Sequence, residues 1–293
     1  MERTKLTFVS CLYHDLCGTE FGGRVHPKRK YFYSLLSLLK MNCSFIIYCW
    51  RKDISELQDF VSEHLGENIL EKVKFLEYDL YEAPLYNIIK SIKNIEEQKK
   101  IDRSYDVAMG KMTMMNKAIQ DNHFNSDYFF FTDVGLSSSA LFPFRFLPMQ
   151  DDPMRKWSEC SLFSDRLIHN LIRLSEQHQK VLLWKISDWL HWISPDHLQR
   201  SDRSSVIGGI FGGKKDVVEI FSNVIVEKFK HIIEYDKFLY LEEVIMTIEE
   251  SINSDKYYCL DFDTWYHEDS GDWCQNARQN KKSFYHTIEE LNK

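Results

Sequence analysis

Hydrophobic and polar positions in the first part of the chain fall into two kinds of segment. Short, largely apolar runs at 6–13, 44–50 and 73–78 are typical of strands, and the first two indicate buried strands. Between them, apolar residues recur at helical spacing over 31–40 and 54–65. This βαβαβ order predicts a parallel sheet with helices packed on its faces.

The next strand of this pattern runs directly into an acidic residue. Residues 105–121 have apolar side chains at helical spacing, and the aromatic run 128–131 predicts another buried strand. Asp133 follows that strand, and Gly135 comes two residues later. Ligands of open α/β sheets bind beyond the carboxyl ends of the strands, so an acid and a glycine here suit a metal-bound phosphate. The alternative is that Asp133 only caps the following turn.

The pattern changes in the middle of the chain. Turn-forming residues dominate 136–153, and 154–200 is predicted to be helical and loop-like. A dense apolar segment at 181–192 contains three tryptophans, which either belong to the core or form a wall for stacking a sugar. The predicted strand 205–213 holds two Gly-Gly pairs, which indicate either a hairpin or bulge, or a backbone wall, including Gly209, against a bound sugar.

Composition and charge limit the classes of function. Of the 293 residues 44% are hydrophobic, which is typical of a soluble globular protein, and the net charge of -7 argues against a general nucleic-acid binder. No apolar run approaches the ~18 residues that span a bilayer, and the first apolar run is too short for a signal peptide. Seven cysteines without a C-x-x-C pair indicate reduced thiols. We therefore expect a cytoplasmic protein, which could also contact the inner face of a membrane peripherally.

Further polar residues are candidates for binding or catalysis. Arg24 lies in a glycine-bearing basic loop after the first strand, where it is either an anion ligand or a solvated charge. Glu242 and Glu243 follow a predicted short strand at 238–241, where they either act chemically or stabilise a helix N-terminus by about 0.3–1 kcal/mol. His267, next to two acids, is either a metal ligand or part of a surface hydrogen-bonded cluster.

The order of these motifs resembles the HtrL/YibB type of bacterial proteins (the WlaTC/HtrL group), which look like glycosyltransferases of the GT-A fold. The closest stretch is 111–135, from Lys111 to the Asp-x-Gly step, and G-G-x-F-G-G at 208–213 and the Glu-Glu pair continue it. The resemblance covers most of the chain and leaves about 143–203 unmatched.

The resemblance implies a GT-A-like α/β fold with a mostly parallel central sheet and helices on both faces. It implies a single large domain with a helical and loop insertion. Residues 1–142 would form the Rossmann-like half that binds the nucleotide-sugar, and 143–203 the insertion. Residues 204–293 would form the acceptor-side half, which ends in the metal-site segment.

The resemblance also implies a metal-dependent glycosyltransferase, which moves a sugar from a nucleotide-diphosphate donor, expected to be a UDP-sugar. The acceptor would be a surface glycan or a lipid-linked glycan. GT-A enzymes usually end the strand with D-x-D, but Gly135 replaces the second acid, so Asp133 and His267 would share Mn2+ or Mg2+.

In that reaction Lys111 or Arg24 would neutralise the leaving diphosphate. Glu243, with Glu242 beside it, would be the catalytic carboxylate, and the stereochemistry of transfer stays open. The sequence leaves two other functions open. One is a nucleotidyltransferase on a related α/β sheet, and the other is a non-catalytic glycan-binding protein that uses the tryptophan-rich segment.

Overall fold

The computed structural model describes residues 5–13, 28–90, 104–134, 164–186, 206–236, 242–262 and 290–291. These residues form one seven-stranded sheet with the strand order β3-β2-β1-β4-β6-β5-β7. The strands are β1 Leu6–Leu12, β2 Ser44–Cys49, β3 Val73–Glu77, β4 Tyr128–Thr132, β5 Val181–Ile186, β6 Val206–Lys214 and β7 Tyr257–Phe262. Within this sheet β6 runs antiparallel to both neighbours, and the other pairings are parallel.

Helices cover both faces of the sheet. In chain order they are α1 Lys28–Leu39, α2 Ile54–Leu65, α3 Pro84–Lys90, α4 Ser104–Asp121, α5 Asp165–His178, α6 Lys215–Asp236 and α7 Glu242–Ile252. Buried residues of α1, α2 and α5 share one core cluster, while those of α3, α4, α6 and α7 share the other. Alternate strand residues enter opposite clusters, so Phe8 and Phe130 face the first core and Val9 and Phe129 the second. Apolar runs without polar alternation are the sequence consequence of this double burial.

The parallel strands bring several carboxyl ends to one edge of the sheet. The chain leaves β1 for β2 on one side and returns later as β4 on the other side, which makes the β1–β4 boundary a topological switch point. In the antiparallel pair, Thr132 of β4 lies opposite Ile210 of β6. The first residues of β6 therefore lie at the edge where β4 ends.

The structure confirms the predicted mostly parallel sheet with helices on both faces. The helical and loop-like prediction for 154–200 is wrong at Val181–Ile186, which form β5 inside the sheet. The error has a physical cause, because an apolar run buried on both faces has no periodicity that separates strand from helix. Trp184 is fully buried in the core, whereas Trp189 and Trp192 lie outside the described residues.

The structure bears on the predictions about membrane spans and about cysteines only within the described residues. Within the described segments, no helix combines the length and apolar character that crossing a membrane requires. Cys11, Cys43 and Cys49 are buried, and Cys259 is partly buried. The predicted strand at 238–241 lies outside the described residues.

Candidate functional site

Asp133 lies directly after β4, at the carboxyl edge and beside the switch point. Its backbone N–H donates to the carbonyl oxygen of Gly209 at 2.8 Å. The hydroxyls of Ser10 and Ser34 donate to the carbonyl oxygens immediately before and after Asp133, each at 2.5 Å. Contacts from β1, α1 and β6 therefore fix the backbone that carries this carboxylate.

Lys111 of α4 contacts Asp133 and is almost completely buried, with 8% of its side chain exposed. Its ammonium nitrogen is 3.0 Å from Asp133 Oδ1, 2.5 Å from Glu242 Oε1 and 3.2 Å from the carbonyl oxygen of Gly208. The same nitrogen lies 5.3 Å from the centroid of the Phe131 ring, within the range of a cation–π contact. The Lys111 ammonium group thus connects α4 with the end of β4, with β6 and with α7.

The two acids at the start of α7 have different surroundings. Glu242 is buried, with 4% of its side chain exposed, and is paired with Lys111. Glu243 is partly exposed and accepts a hydrogen bond from the backbone N–H of Gly208 at 2.8 Å. A Cβ atom on Gly208 would collide with the Glu242 carboxylate and lie 3.0 Å from Glu243 Cγ. A glycine at this position is what allows both acids to approach the strand.

The charges of the cluster perturb one another. Burial raises the pKa of Glu243 to about 7, and the neighbouring Glu242 carboxylate adds to the increase. Burial also raises the pKa of Asp133, while Lys111 opposes this effect. For Lys111 itself burial acts to lower the pKa, but the Asp133 and Glu242 carboxylates outweigh it and the pKa rises. At neutral pH Lys111 is therefore charged, and the raised pKa of Glu243, about 7, suits this acid to proton transfer.

Aromatic side chains at the same edge were not among the predicted site residues. Tyr13, Trp50 and Tyr78 directly follow β1, β2 and β3. Trp50 lies 4.8 Å from Tyr13 and stacks on Tyr81 at 5.6 Å between ring centroids, and 40% of Tyr81 is exposed. The Tyr13 hydroxyl donates to the carbonyl oxygen of Tyr78 at 2.8 Å. The sequence signal for this group is an aromatic residue immediately after each of three successive strands.

Five of the eight predicted site residues lie in the described part of the chain, and these five lie together. Lys111, Asp133, Glu242 and Glu243 lie in one cluster, and Gly209 is hydrogen bonded to the backbone of Asp133. Three other candidates, Arg24, Gly135 and His267, lie outside the described residues. The chemical roles of all eight remain predictions.

The chemistry of the cluster allows a limited test of the expected metal site. Among the described residues, no group of three or more His, Cys, Asp or Glu side chains is arranged to hold a metal ion. Both the Asp133 and the Glu242 carboxylates contact Lys111, but the Asp133 side chain is 39% exposed, whereas that of Glu242 is enclosed. Mg2+ commonly uses one or two protein carboxylates and completes its shell with phosphate oxygens and water. Asp133 therefore fits as a single protein ligand for a phosphate-bound cation, with His267 outside the part described.

Comparisons with known proteins do not assign the chain to a family. No family model matches the sequence. No curated protein shows a significant match either. A function has to be inferred from the residues of the site, since an α/β fold alone does not specify one.

Proposed function

We propose that this chain is a glycosyltransferase of GT-A-like architecture, which transfers a sugar from a nucleotide-diphosphate donor, expected to be a UDP-sugar. The acceptor is a glycan or a lipid-linked glycan. The observation that carries the proposal is the convergence of Asp133, Glu242 and Glu243 with Lys111 at the carboxyl edge of the sheet, beside the switch point. Ligands of open α/β sheets bind in the crevice at this place.

The aromatic group at the ends of β1–β3 supports a nucleotide donor. Trp50 and Tyr81 offer stacked rings at the same edge as Asp133, and part of Tyr81 faces solvent. A planar base can stack on such rings, while its diphosphate extends along the edge toward Asp133. A divalent cation bound there would neutralise the charge that develops on the leaving diphosphate.

The different surroundings of the two glutamates support different roles. Glu242 is held as the partner of Lys111, so it contributes charge and shape rather than proton transfer. Glu243 is more accessible, and a carboxylate with a pKa of about 7 is suited to accept a proton at neutral pH. In the transfer, the acceptor oxygen bonds to the anomeric carbon, and the bond from that carbon to the diphosphate breaks. The acceptor proton passes to Glu243, which is the arrangement that an inverting transfer requires.

The test is a donor panel assayed for nucleotide release. The chain is incubated with UDP-sugars and a mixture of glycan and lipid-linked acceptors, with Mn2+, Mg2+ or a chelator. We expect metal-dependent UDP release that Asp133→Ala abolishes. Asp127→Ala is the matched control, because Asp127 lies just before β4, is 51% exposed at its side chain and pairs only with surface Lys5 among the contacts described.

Other outcomes separate the competing functions. Turnover that needs no metal and survives Asp133→Ala contradicts the metal assignment. Release of pyrophosphate from a nucleoside triphosphate identifies a nucleotidyltransferase instead. Saccharide binding that is indifferent to nucleotide and metal, without turnover, identifies a glycan-binding protein.

A further inference from the structure

The ammonium group of Lys111 has no donor left for a ligand. A lysine carries three N–H donors. Three groups surround this nitrogen at bonding distance: the Asp133 carboxylate, the Glu242 carboxylate and the Gly208 carbonyl oxygen. A phosphate oxygen could bond to Lys111 only by displacing one of these partners.

Access to the ammonium group is also restricted. Only 8% of the Lys111 side chain is exposed, and the Phe131 ring closes one side of the nitrogen. Met112, the next residue on α4, and Met109 are buried in the same core. The side chains that do reach solvent from this cluster are those of Asp133, 39% exposed, and Glu243, which is partly exposed.

The contacts of Lys111 fix the geometry of every acid in the cluster. Its ammonium nitrogen lies 3.0 and 3.2 Å from the two carboxylate oxygens of Asp133, so one ammonium group faces both oxygens. It bonds to Glu242 at the start of α7 and to the carbonyl oxygen of Gly208, whose N–H binds Glu243. Moving the ammonium would therefore displace Asp133 and Glu242 directly and Glu243 through the strand.

We propose that Lys111 is a positioning residue, which holds the carboxylates of Asp133 and Glu242 in place and does not contact the donor diphosphate. This inference rests on the proposed transferase function, where the resemblance implied a phosphate contact for Lys111. The donor diphosphate would then be bound by the cation and by basic residues other than Lys111. Arg24 is the basic residue that the sequence suggests for this role.

Substitution by arginine distinguishes the two roles. Arginine binds phosphate at least as well as lysine, so a phosphate ligand would tolerate Lys111→Arg. In a buried site built for a small ammonium, the larger planar group must displace the carboxylates. We expect Lys111→Arg to lower kcat about 100-fold, as misplaced catalytic groups do, and to raise donor KM measured with Mn2+, because Asp133 would hold the cation. The Kd of UDP measured with a chelator, which a direct phosphate contact of Lys111 would change, should stay within about 3-fold of the wild-type value. A variant with wild-type kcat would overturn the inference, as would Lys111→Met if it raised donor KM and left kcat intact.

A stability measurement tests the same contact without a substrate. Lys111→Met leaves two carboxylates without their cation, so we expect Tm to fall on the order of 10 °C. Lys111→Met with Glu242→Gln removes one of those carboxylates, so it should recover part of the lost Tm but none of the lost kcat. Lys117→Met on the same helix is the control, since Lys117 is 48% exposed and pairs with Asp121 at the surface.

The two measurements separate failure of the inference from failure of the proposed function. If the wild-type chain turns over no donor, the transferase proposal fails, and the Tm comparison still decides whether Lys111 holds the acids. If the double variant is no more stable than Lys111→Met, the Lys111–Glu242 contact is not coupled and the positioning role is wrong, whatever the activity.

Discussion

Gly208 is the residue at which the strand and the two glutamates meet. Its carbonyl oxygen accepts from Lys111 and its N–H donates to Glu243, so both backbone groups serve the cluster. A side chain there would overlap the Glu242 carboxylate, which has little room to move because it is buried and paired. The lack of a side chain is therefore a requirement of the site, beyond any effect on strand conformation.

Gly208→Ala should accordingly destabilise the fold by about 1–3 kcal/mol, the usual cost of overpacking, and lower activity with it. Gly110→Ala is the matched control, because an added Cβ there meets only the ends of the flexible Leu80 and Met114 side chains. Because Gly110 lies within α4, helix propensity also favours alanine over glycine there by up to about 1 kcal/mol. Urea unfolding of both variants measures the difference, and equal losses would show that Gly208 has no special role.

If Glu243 is the general base of the proposed sugar transfer, its pKa sets the pH dependence of that transfer. A general base must be deprotonated, and the pKa of Glu243 is about 7, so kcat/KM should rise with pH through about 7 and level off above it. Glu243→Gln should lose most of the activity at every pH, together with this limb. A wild-type profile that is flat between pH 5 and 8 would contradict the assignment of Glu243 as the base.

The same pKa has a consequence for stability, which needs no substrate. The carboxyl titrates near 4.5 when exposed and near 7 in the fold. Between these values the folded state binds more protons than the unfolded state, so rising pH removes stability across this window. Glu243→Gln should therefore become more stable relative to wild type as the pH rises from about 4.5 to 7, which unfolding curves at several pH values would measure.

At the scale of elements, α7 carries Glu242 and Glu243 in its first turn and is held in place by two further acids near its C-terminal end. Glu249 is buried and lies 3.0 Å from Lys228 of α6, and it accepts a hydrogen bond from the Tyr257 hydroxyl at 2.8 Å. Glu250 is buried and lies 2.6 Å from Lys185 of β5. These contacts fix the rotation and axial position of α7, and hence the places of Glu242 and Glu243.

Removing Lys185 and removing Glu250 should change the free energy of unfolding by different amounts. Lys185→Met leaves Glu250, 6% exposed at its side chain, as a buried charge without its cation, which costs about 3–5 kcal/mol. Glu250→Gln should cost less, because Lys185 is 31% exposed and can turn its ammonium toward water. Lys230→Met is the control, since Lys230 pairs with Glu227, 70% exposed, in a contact worth about 0–1 kcal/mol. Chemical denaturation measures the three values, and equal costs for Lys185→Met and Lys230→Met would contradict a structural role for the Lys185–Glu250 pair.

Elements and site were predictable to different degrees from sequence. Short, largely apolar runs are enough to identify β1–β4, and the rule that ligands bind at strand ends singles out Asp133. Periodicity could not identify β5, which is apolar on both faces and has no turn signal to separate it from a helix. The pairing of Lys111 with Glu242 was also beyond prediction, because it depends on how α4 and α7 pack across the sheet. For the same reason, the sequence could not show which glutamate of the pair faces the core.

At the scale of the whole molecule, the site joins the first and the second part of the chain. Lys111 and Asp133 come from α4 and β4, while Gly208 and the two glutamates come from β6 and α7. The reversed direction of β6 makes this junction possible, since it brings the beginning of that strand to the edge where β4 ends. A ligand that binds here should therefore stabilise both parts of the sheet at once.

Ligand-linked stability gives a test of the whole site that is independent of turnover. A ligand present at 100 times its Kd adds about 2.7 kcal/mol to the folded state, or roughly 5–10 °C in Tm for a domain of this size. We expect UDP with Mn2+ to raise Tm by this order, and UDP with a chelator to raise it less, because in the proposed site Asp133 would hold a cation that offsets the charge of the diphosphate. Asp133→Ala should remove the Mn2+-dependent increment and keep the remainder, whereas Asp127→Ala should keep both. An increment of equal size in the two variants would mean that the cation binds away from Asp133, and that the acid after β4 serves only as the partner of Lys111.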